Sequence, residues 1–267
     1  MGQSSSVGRL NDGQKAVLSE FESLKKCGLK MLYKPNYPLL YIACGFANCV
    51  STLGEFVLHS LIEEFGGIVQ VLPSVSLIPN SEKDISQQQF QTARKVATNN
   101  TRIVVATTCS RYLAFPVLTM KHANFLIIDT TTSEVVYVES HGNRSTDTIQ
   151  LIESDVKPFL QDIGIREPVI QFLVHDNPQQ TDLFCQMWAP LLTRWVLTIA
   201  LRRHCSLFTA AQMLRDLQTD VLGNINNRRI VMRTLIPIAV YTIMGSLIAQ
   251  QSKADTIGEA IEWARVH

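Results

Sequence analysis

The sequence predicts an α+β fold. Helical spacing of apolar residues runs through residues 12–66 and resumes after residue 185, as in DGQKAVLSEFESLKK and MWAPLLTRWVLTIALRR. Between these regions lie short runs of β-branched and aromatic residues, namely RIVVATTC, YLAFPVLTM, HANFLIID and EVVYVES. The sequence therefore predicts a small sheet flanked by helical regions at both ends.

Composition is that of a folded, globular chain. With 267 residues, 46% of them hydrophobic and 18% charged, the chain can bury a sizeable core. The net charge of +1 and a pI near 7.6 give no strong signal for a nucleic-acid partner. Its cysteines lack paired metal spacing and no secretory signal opens the chain, so we expect a reducing, intracellular location and predict no cofactor or metal. These cysteines are Cys27, Cys44, Cys49, Cys109, Cys185 and Cys205.

The N-terminus carries a lipidation pattern. MGQSSS places Gly2 behind the initiator and Ser6 where N-myristoylation asks for Ser or Thr, although the same letters also describe a polar tail. One acyl chain would give only weak, reversible membrane association. The apolar stretches 38–62 and 234–249 are interrupted by polar residues or too short to span a bilayer, so we interpret them as buried helices.

The remaining elements follow in order along the chain. GGIVQVL begins β-structure, the loop around Asn80 is a candidate boundary, and ISQQQFQTARKVA predicts a polar helix. Its inward residues are predicted to be Ile85, Phe90, Ala93 and Val96. Strands are predicted over 102–109, 112–120, 122–129 and 134–140, the last two joined by the turn TTTS into a hairpin.

A helix then runs from about Asp147 to Gly164, followed by the strand PVIQFLVHD and a long helix after Cys185. Trp188 and Trp195 are predicted to fill core on one face of that helix. The domain division is a helical N-terminal region at 1–80, a core at 81–215 and a helical C-terminal extension at 216–267.

Cys185 lies where a polar turn meets an apolar helix, in HDNPQQTDLFCQMWAPLL. A thiol acts as a nucleophile when it is ionised, and a helix N-terminus stabilises that anion. A catalytic thiolate also needs a histidine base with an acceptor on its other nitrogen. The alternative is that Cys185 is a small buried hydrophobic residue and PQQTD an ordinary turn.

Three of the six histidines suit the role of base. His59, His204 and His267 have contexts typical of structural or solvated residues, which leaves His122, His141 and His175. His122 starts one strand of the predicted hairpin and Glu139 lies near the end of the other, so antiparallel pairing can bring the two together. Such a pair can equally be a surface ion pair.

The segment from Tyr112 to Ser140, followed about forty residues later by PQQTDLFC, resembles the ubiquitin-like-protein proteases, whose adenoviral member is adenain, and the related processing proteases of large DNA viruses. In that family a histidine opens a strand, an acid follows seventeen residues later, and a glutamine precedes the cysteine by about six. The matching residues are His122, Glu139 and Cys185, with Gln179 or Gln180 as the glutamine.

The resemblance implies a small mixed sheet with a central catalytic helix. It also implies a cysteine protease in which His122 is the base, Glu139 orients it, and the glutamine amide binds the oxyanion. Residue count favours Gln179, whereas the tripeptide PQQ favours Gln180. Two departures concern Ala123, where cellular members have Trp, and Gln186, where they have Gly.

Three functions remain open on these grounds. The first is a thiol-dependent endopeptidase of viral polyprotein or virion maturation, located in the host cytoplasm or the virion. The second is a deSUMOylase-like or deubiquitinase-like hydrolase of host conjugates. The third is an inactive, membrane-associated scaffold that retains the protease fold. The protein partner is accordingly a polyprotein or a ubiquitin-like conjugate in the first two cases.

Overall fold

The computed structural model describes residues 10–32, 65–72, 75–77, 87–119, 122–139, 146–173 and 185–217. The helices are α1 (Asp12–Leu32), α2 (Gln87–Thr107), α3 (Thr146–Leu151), α4 (Lys157–Asp162), α5 (Cys185–Arg203) and α6 (Leu207–Leu217), with a π-helical turn (Ile152–Val156) joining α3 to α4. The strands are β1 (Val69–Val71), β2 (Val75–Ser76), β3 (Tyr112–Thr119), β4 (His122–Asp129), β5 (Glu134–Val138) and β6 (Val169–Leu173). Helices and strands thus share one unit, which confirms the α+β class.

The described strands form one mixed sheet in the order β1-β3-β4-β5-β6, and β2 also pairs with β3. The pairs β3–β4 and β4–β5 are antiparallel, whereas β1 and β2 run parallel to β3 and β6 runs parallel to β5. The predicted hairpin is β4–β5. Its turn is held by the Asp129 carboxylate, whose Oδ1 accepts hydrogen bonds from the backbone N–H and hydroxyl of Thr131 at 2.9 and 2.6 Å.

Both faces of the three central strands of the sheet, β3, β4 and β5, are buried. Along β3, β4 and β5, successive side chains enter two different hydrophobic cores, as the two-residue period of a strand requires. One core packs against α1, α5 and α6 and receives Tyr112, Ala114, Phe125, Ile127, Val136 and Val138. The other packs against the π-helical turn and α4 and receives Leu113, Phe115, Leu126, Ile128, Val135 and Tyr137. Burial on both faces explains why these strands read as continuous apolar runs.

Helix α5 is central to the first core. Trp188 and Trp195 are 1% and 0% exposed, which confirms their prediction as core residues. Helix α1 runs antiparallel along α5: the Phe21 and Trp195 rings meet edge to face at 6.3 Å, and Arg194 Nε lies 3.5 Å from Glu20 Oε1. Near the start of α1, a Cβ added to Gly13 would lie 2.9 Å from the Ile199 Cα.

A reciprocal cap fixes the start of α1. Asn11 Oδ1 accepts a hydrogen bond from the Gln14 backbone N–H at 2.9 Å, and Gln14 Oε1 accepts one from the Asn11 backbone N–H at 3.2 Å. This pair resembles a capping box, in which the two side chains satisfy backbone donors that the helix itself leaves without partners. The Gln14 amide also donates to the Met213 carbonyl at 2.9 Å, which ties the cap to α6.

The predicted strand at residues 102–109 is wrong, because α2 continues through Thr107. The prediction that Ala93 and Val96 face inward is also wrong, since Ala93 is exposed and Val96 is 55% exposed. The buried face of α2 instead carries Phe90 and Thr101. Cys109 therefore does not end a strand: it lies exposed between α2 and β3.

The proposed division at residues 80 and 215 stays a prediction. Strands β1 and β2 precede residue 81 and join the same sheet as β3, and α6 continues to Leu217. The predicted helices over 38–62 and 234–249 lie outside the described residues, as does Ile85. Within the described residues, no helix is both long and apolar enough to cross a bilayer.

Candidate active site

His122 is the first residue of β4. It pairs in register with Thr119, the last residue of β3. At this same end of the sheet, β5 and β6 finish side by side, because Val138 is the register partner of Leu173. We call this end, where β4 begins and β5 and β6 finish, the site end of the sheet. The His122 side chain lies outside the described residues.

Glu139 follows the last residue of β5 and is 5% exposed. The β4–β5 register pairs Phe125 with Val138, so one further step places Asn124 opposite Glu139. His122 comes two residues before Asn124 and is therefore the diagonal neighbour of Glu139 in the ladder. Diagonal positions are about 7–8 Å apart, a separation that long side chains can bridge.

Cys185 is the first residue of α5. The C-terminal end of α5 shows which way the helix runs along the sheet. Cys205, two residues after that end, lies close enough to Arg111 and Glu134 for their charges to act on its thiol. Arg111 directly precedes β3 and Glu134 begins β5, so α5 finishes at the end of the sheet opposite the site end. Cys185 must then lie towards the site end, because α5 packs along β4 and the two are similar in length, about 28 and about 26 Å.

The position of Cys185 suits an ionised thiol. The first turn of a helix has backbone N–H groups without intrahelical partners and a partial positive charge. The first turn of α5 contains no acidic residue that would oppose an anion there. The backbone thus supplies an environment that favours the thiolate, whereas the side chain of Cys185 lies outside the described residues.

A different acid of the same hairpin has a structural role. Asp129 is fully buried at the other end of β4. Its Oδ2 accepts hydrogen bonds from Arg111, at 3.1 Å from Nε and 3.0 Å from Nη2. Its other oxygen, Oδ1, accepts hydrogen bonds from Thr131, so both carboxylate oxygens of Asp129 have partners, seven residues along β4 from His122.

Asn124 is a polar residue of this region that the sequence analysis missed. It is 1% exposed, lies one step beyond the last β4–β5 register pair on the side of Glu139, and makes a polar interaction of its own. A buried amide needs hydrogen-bond partners, so it restricts how its neighbours can be arranged. The sequence feature that could have indicated its role is the position of this polar residue inside the otherwise apolar run ANFLII.

The other predicted site residues lie outside the described residues. These are Gln179, Gln180 and Gly2, and also the alternative bases His141 and His175. Strand β6 finishes at Leu173 at the site end, and α5 begins with Cys185, so both flanks of the glutamine-bearing segment are located. No catalytic role of any residue is tested by these positions, and the assignments stay predictions.

Other cysteines and possible metal ligands were also located. Cys205 is half-buried, and burial raises the pKa of its thiol, which disfavours the thiolate form. Cys109 is exposed, and His204 is exposed beyond the end of α5. Among the described residues, no three His, Cys, Asp or Glu side chains are grouped as metal ligands would be.

Solved structures similar to this chain include SUMO proteases. A de-sumoylating protease matches with a TM-score of 0.40 and 15% identity over 79% of this chain and 85% of that one. The C-terminal Ulp1 protease domain in complex with Smt3, the yeast ortholog of SUMO, matches with a TM-score of 0.36 and 16% identity over 88% and 99%. No family profile and no curated protein matches the chain.

Proposed function

We propose that this protein is a cysteine protease whose nucleophile is Cys185, with His122 as base and Glu139 as the group that orients the base. The observation that carries the proposal is the backbone arrangement at the site end. There β4 begins with His122, β5 finishes one residue before Glu139, and α5 leads with Cys185. The order of histidine, acid, glutamine and cysteine in the sequence supports it independently.

The chemistry follows from these roles. His122 takes the proton of Cys185, and the thiolate forms a C–S bond with the scissile carbonyl carbon. Gln179 or Gln180 and the Cys185 backbone N–H donate hydrogen bonds to the resulting oxyanion. The C–N bond then breaks as His122 protonates the leaving amine. Water, deprotonated by His122, hydrolyses the thioester and regenerates the thiol.

The substrate we favour is a viral structural polyprotein, cleaved during virion maturation. Ala123 and Gln186 stand where cellular ubiquitin-like-protein proteases have Trp and Gly, which argues against a site shaped for a diglycine tail. A deSUMOylase-like hydrolase of host conjugates is the alternative, and an inactive scaffold is the non-enzymatic one. Location in the host cytoplasm or virion belongs to the same proposal.

The test is hydrolysis of a substrate panel by the full chain. The panel contains a library of internally quenched peptides, a SUMO fused to a C-terminal reporter and a ubiquitin fused in the same way. We expect cleavage of peptides, with Cys185→Ala and His122→Ala each lowering turnover at least about a thousandfold while far-UV circular dichroism stays unchanged.

Other outcomes of the panel are equally informative. Cleavage confined to SUMO or ubiquitin fusions would establish the alternative substrate class. Turnover by Cys185→Ala close to that of the wild type would contradict the proposed mechanism. A wild-type chain that neither cleaves any substrate nor reacts at Cys185 with a thiol-directed probe would support the scaffold.

Myristoylation of Gly2 is a separate part of the proposal. The MGQSSS pattern supports it, and a single acyl chain would give only weak membrane association. Mass spectrometry of the chain expressed with an N-myristoyltransferase should show the added acyl group, and Gly2→Ala should abolish it. An unmodified N-terminus under these conditions would contradict the prediction.

A further inference from the structure

Helix α2 has an unusual distribution of charge. Its 21 residues include Arg94, Lys95 and Arg102 but no aspartate or glutamate. Most exposed helices mix both signs, because pairs of opposite charge four residues apart stabilise the helix. Of the three cations, Arg94 is committed to the fold: it lies 3.5 Å from Asp155 and donates a hydrogen bond to the Leu77 carbonyl. Lys95 and Arg102 are exposed.

The outer face of α2 is also apolar. Phe90 and Thr101 are buried, and Val104 and Val105 pack against the second core, which fixes the inner face. Val96 and Ile103 project on the outer side and are 55% and 60% exposed. Single exposed aliphatic side chains are common on protein surfaces, but two of them on one side of the same helix form an apolar patch that suits contact with a partner.

The apolar and basic residues recur together. Lys95 directly precedes Val96, and seven residues later Arg102 directly precedes Ile103. Seven residues is close to two helical turns, so both pairs lie on the same side of α2. Asn100, also exposed, stands between Val96 and Ile103 at spacings of four and three. This pattern is the one by which helices recognise a second helix, with apolar residues in the seam and charges beside it.

The pairs Lys95–Val96 and Arg102–Ile103 form a stripe along α2, and a groove runs beside this stripe. It has a volume of about 380 Å³, and its α2 wall is basic and polar, whereas Asp162 of α4 contributes a single acid. The α2 residues that line the groove are Gln91, Arg94, Lys95, Thr98, Asn99 and Arg102. The stripe and the groove together form a continuous surface that favours an acidic ligand.

We propose that α2 is a docking site for an acidic amphipathic helix of a partner protein. Leucine or isoleucine side chains of that helix would cover Val96 and Ile103, and its glutamates or aspartates would pair with Lys95 and Arg102. A second copy of this chain fits poorly, because α2 against α2 would bring like charges together. The site lies on the sheet face opposite α5, so the proposal goes beyond the proteolytic function and does not depend on it.

A helix fits this surface better than a nucleic acid does. Proteins that bind single strands pair cations with exposed aromatic rings on which bases stack. The one aromatic residue of α2 is Phe90, which is 7% exposed and faces the core. Phosphates would also leave Val96 and Ile103 uncovered.

The test uses the full chain and fluorescein-labelled probes in fluorescence anisotropy. The first probe is a synthetic 21-residue peptide with Leu and Ile at heptad core positions and Glu beside them; the repulsion among the glutamates keeps it monomeric. The second probe has Lys in place of each Glu, and the third is a 20-nucleotide single-stranded DNA. We expect the wild-type chain to bind the acidic peptide and not the basic one.

Three double variants identify the surface. Lys95→Glu/Arg102→Glu should weaken binding of the acidic peptide about tenfold or more and create binding of the basic one. Val96→Ser/Ile103→Ser should weaken the acidic peptide to a similar extent without changing charge. Lys15→Glu/Lys26→Glu, the same charge change on the exposed side of α1 across the sheet, should have no effect.

Specific results would overturn the proposal. One is that the wild-type chain does not bind the acidic peptide. Another is that the α1 control weakens binding as much as the α2 charge reversal does, which would mean that attraction is unspecific. Tighter binding of the DNA than of the acidic peptide, lost with Lys95→Glu/Arg102→Glu, would reassign the surface to nucleic acid.

Discussion

Two carboxylates of the β4–β5 hairpin lie at opposite ends of the sheet and have different surroundings. Asp129 is bonded to Arg111 and Thr131 through both of its oxygens. Glu139 is buried at the site end, one diagonal step from His122 in the register. Position along the hairpin therefore separates an acid that holds a turn from the acid proposed to orient a base.

These surroundings predict opposite effects of removing each charge. Glu139→Gln should lower turnover, yet stay about ten- to a hundredfold more active than His122→Ala, because an orienting carboxylate is less essential than the base. Asp129→Asn should instead lower stability by about 1–3 kcal/mol and leave turnover per folded molecule unchanged. Urea unfolding and initial rates measure both quantities. A larger loss of turnover in Asp129→Asn than in Glu139→Gln would exchange the two roles.

The adjacent glutamines allow a second prediction at the residue scale. An oxyanion donor must come within about 3 Å of the developing charge, so only one of Gln179 and Gln180 can serve. The corresponding alanine variant should lose about a hundredfold in turnover while the other stays near wild type. We favour Gln180 because the segment between it and Cys185 would form the tighter turn. Small and equal effects would mean that backbone N–H groups alone bind the oxyanion.

At the scale of elements, the close contact between α1 and α5 depends on the absence of a side chain at Gly13. A Cβ at Gly13 would stand 2.9 Å from the Ile199 Cα, and a backbone atom cannot rotate out of the way. Gly13→Ala should therefore lower the free energy of unfolding by about 1–3 kcal/mol. The sign is diagnostic, because the same substitution in an exposed helix raises stability by up to about 1 kcal/mol. A higher urea midpoint for Gly13→Ala would show that the helices do not approach so closely.

The elements also show how far the sequence could predict the fold. The runs YLAFPVLT, HANFLIID and EVVYV were recognisable as strands because each is short, apolar and bounded by polar or turn residues. RIVVAT has the same composition but is the end of α2. Local β-propensity is overridden there, because helical geometry places Val104 and Val105 against the second core. Which face of α2 is buried depends on the sheet and α4, neither of which is visible in the helix's own sequence.

The candidate site, like the fold, could be predicted only in part from the sequence. The start of β4 at His122 and of α5 at Cys185 followed from changes in hydrophobic period, and the approach of Glu139 to His122 followed from the hairpin. Asn124 was missed because only the register reveals that it stands opposite Glu139. The glutamine could not be decided between two neighbours, because sequence spacing does not specify which side chain of a turn points at a carbonyl.

At the scale of the whole molecule, one sheet is shared by two cores. Every central strand contributes side chains to both, so neither helical layer can lose its packing without exposing the other side of the same strands. A substitution that disrupts packing in one core should therefore also lower the stability of the other core. Phe159, 1% exposed and stacked edge to face on Phe115 at 5.8 Å, offers a test from the second core.

Phe159→Ala should lower the free energy of unfolding by about 3–5 kcal/mol. In a Trp263→Phe background, tryptophan fluorescence reports only Trp188 and Trp195 in the first core. Its urea midpoint should shift with Phe159→Ala as far as the midpoint from far-UV circular dichroism. A fluorescence transition that does not move would mean that the two layers unfold independently.

The central claim is that Cys185 is an activated nucleophile next to His122, and its ionisation tests this most directly. The rate of alkylation of Cys185 by iodoacetamide, followed by peptide mass spectrometry from pH 5 to 10, reports the thiolate fraction. Cys109, exposed at the opposite end of the sheet, serves as a standard whose rates should be the same in all variants. We predict that the apparent pKa of Cys185 lies below the usual value of about 8.5 in the wild type and rises when His122 is replaced by Ala. A Cys185 profile with a midpoint of about 8.5 or higher that is identical in the wild type and His122→Ala would contradict the account.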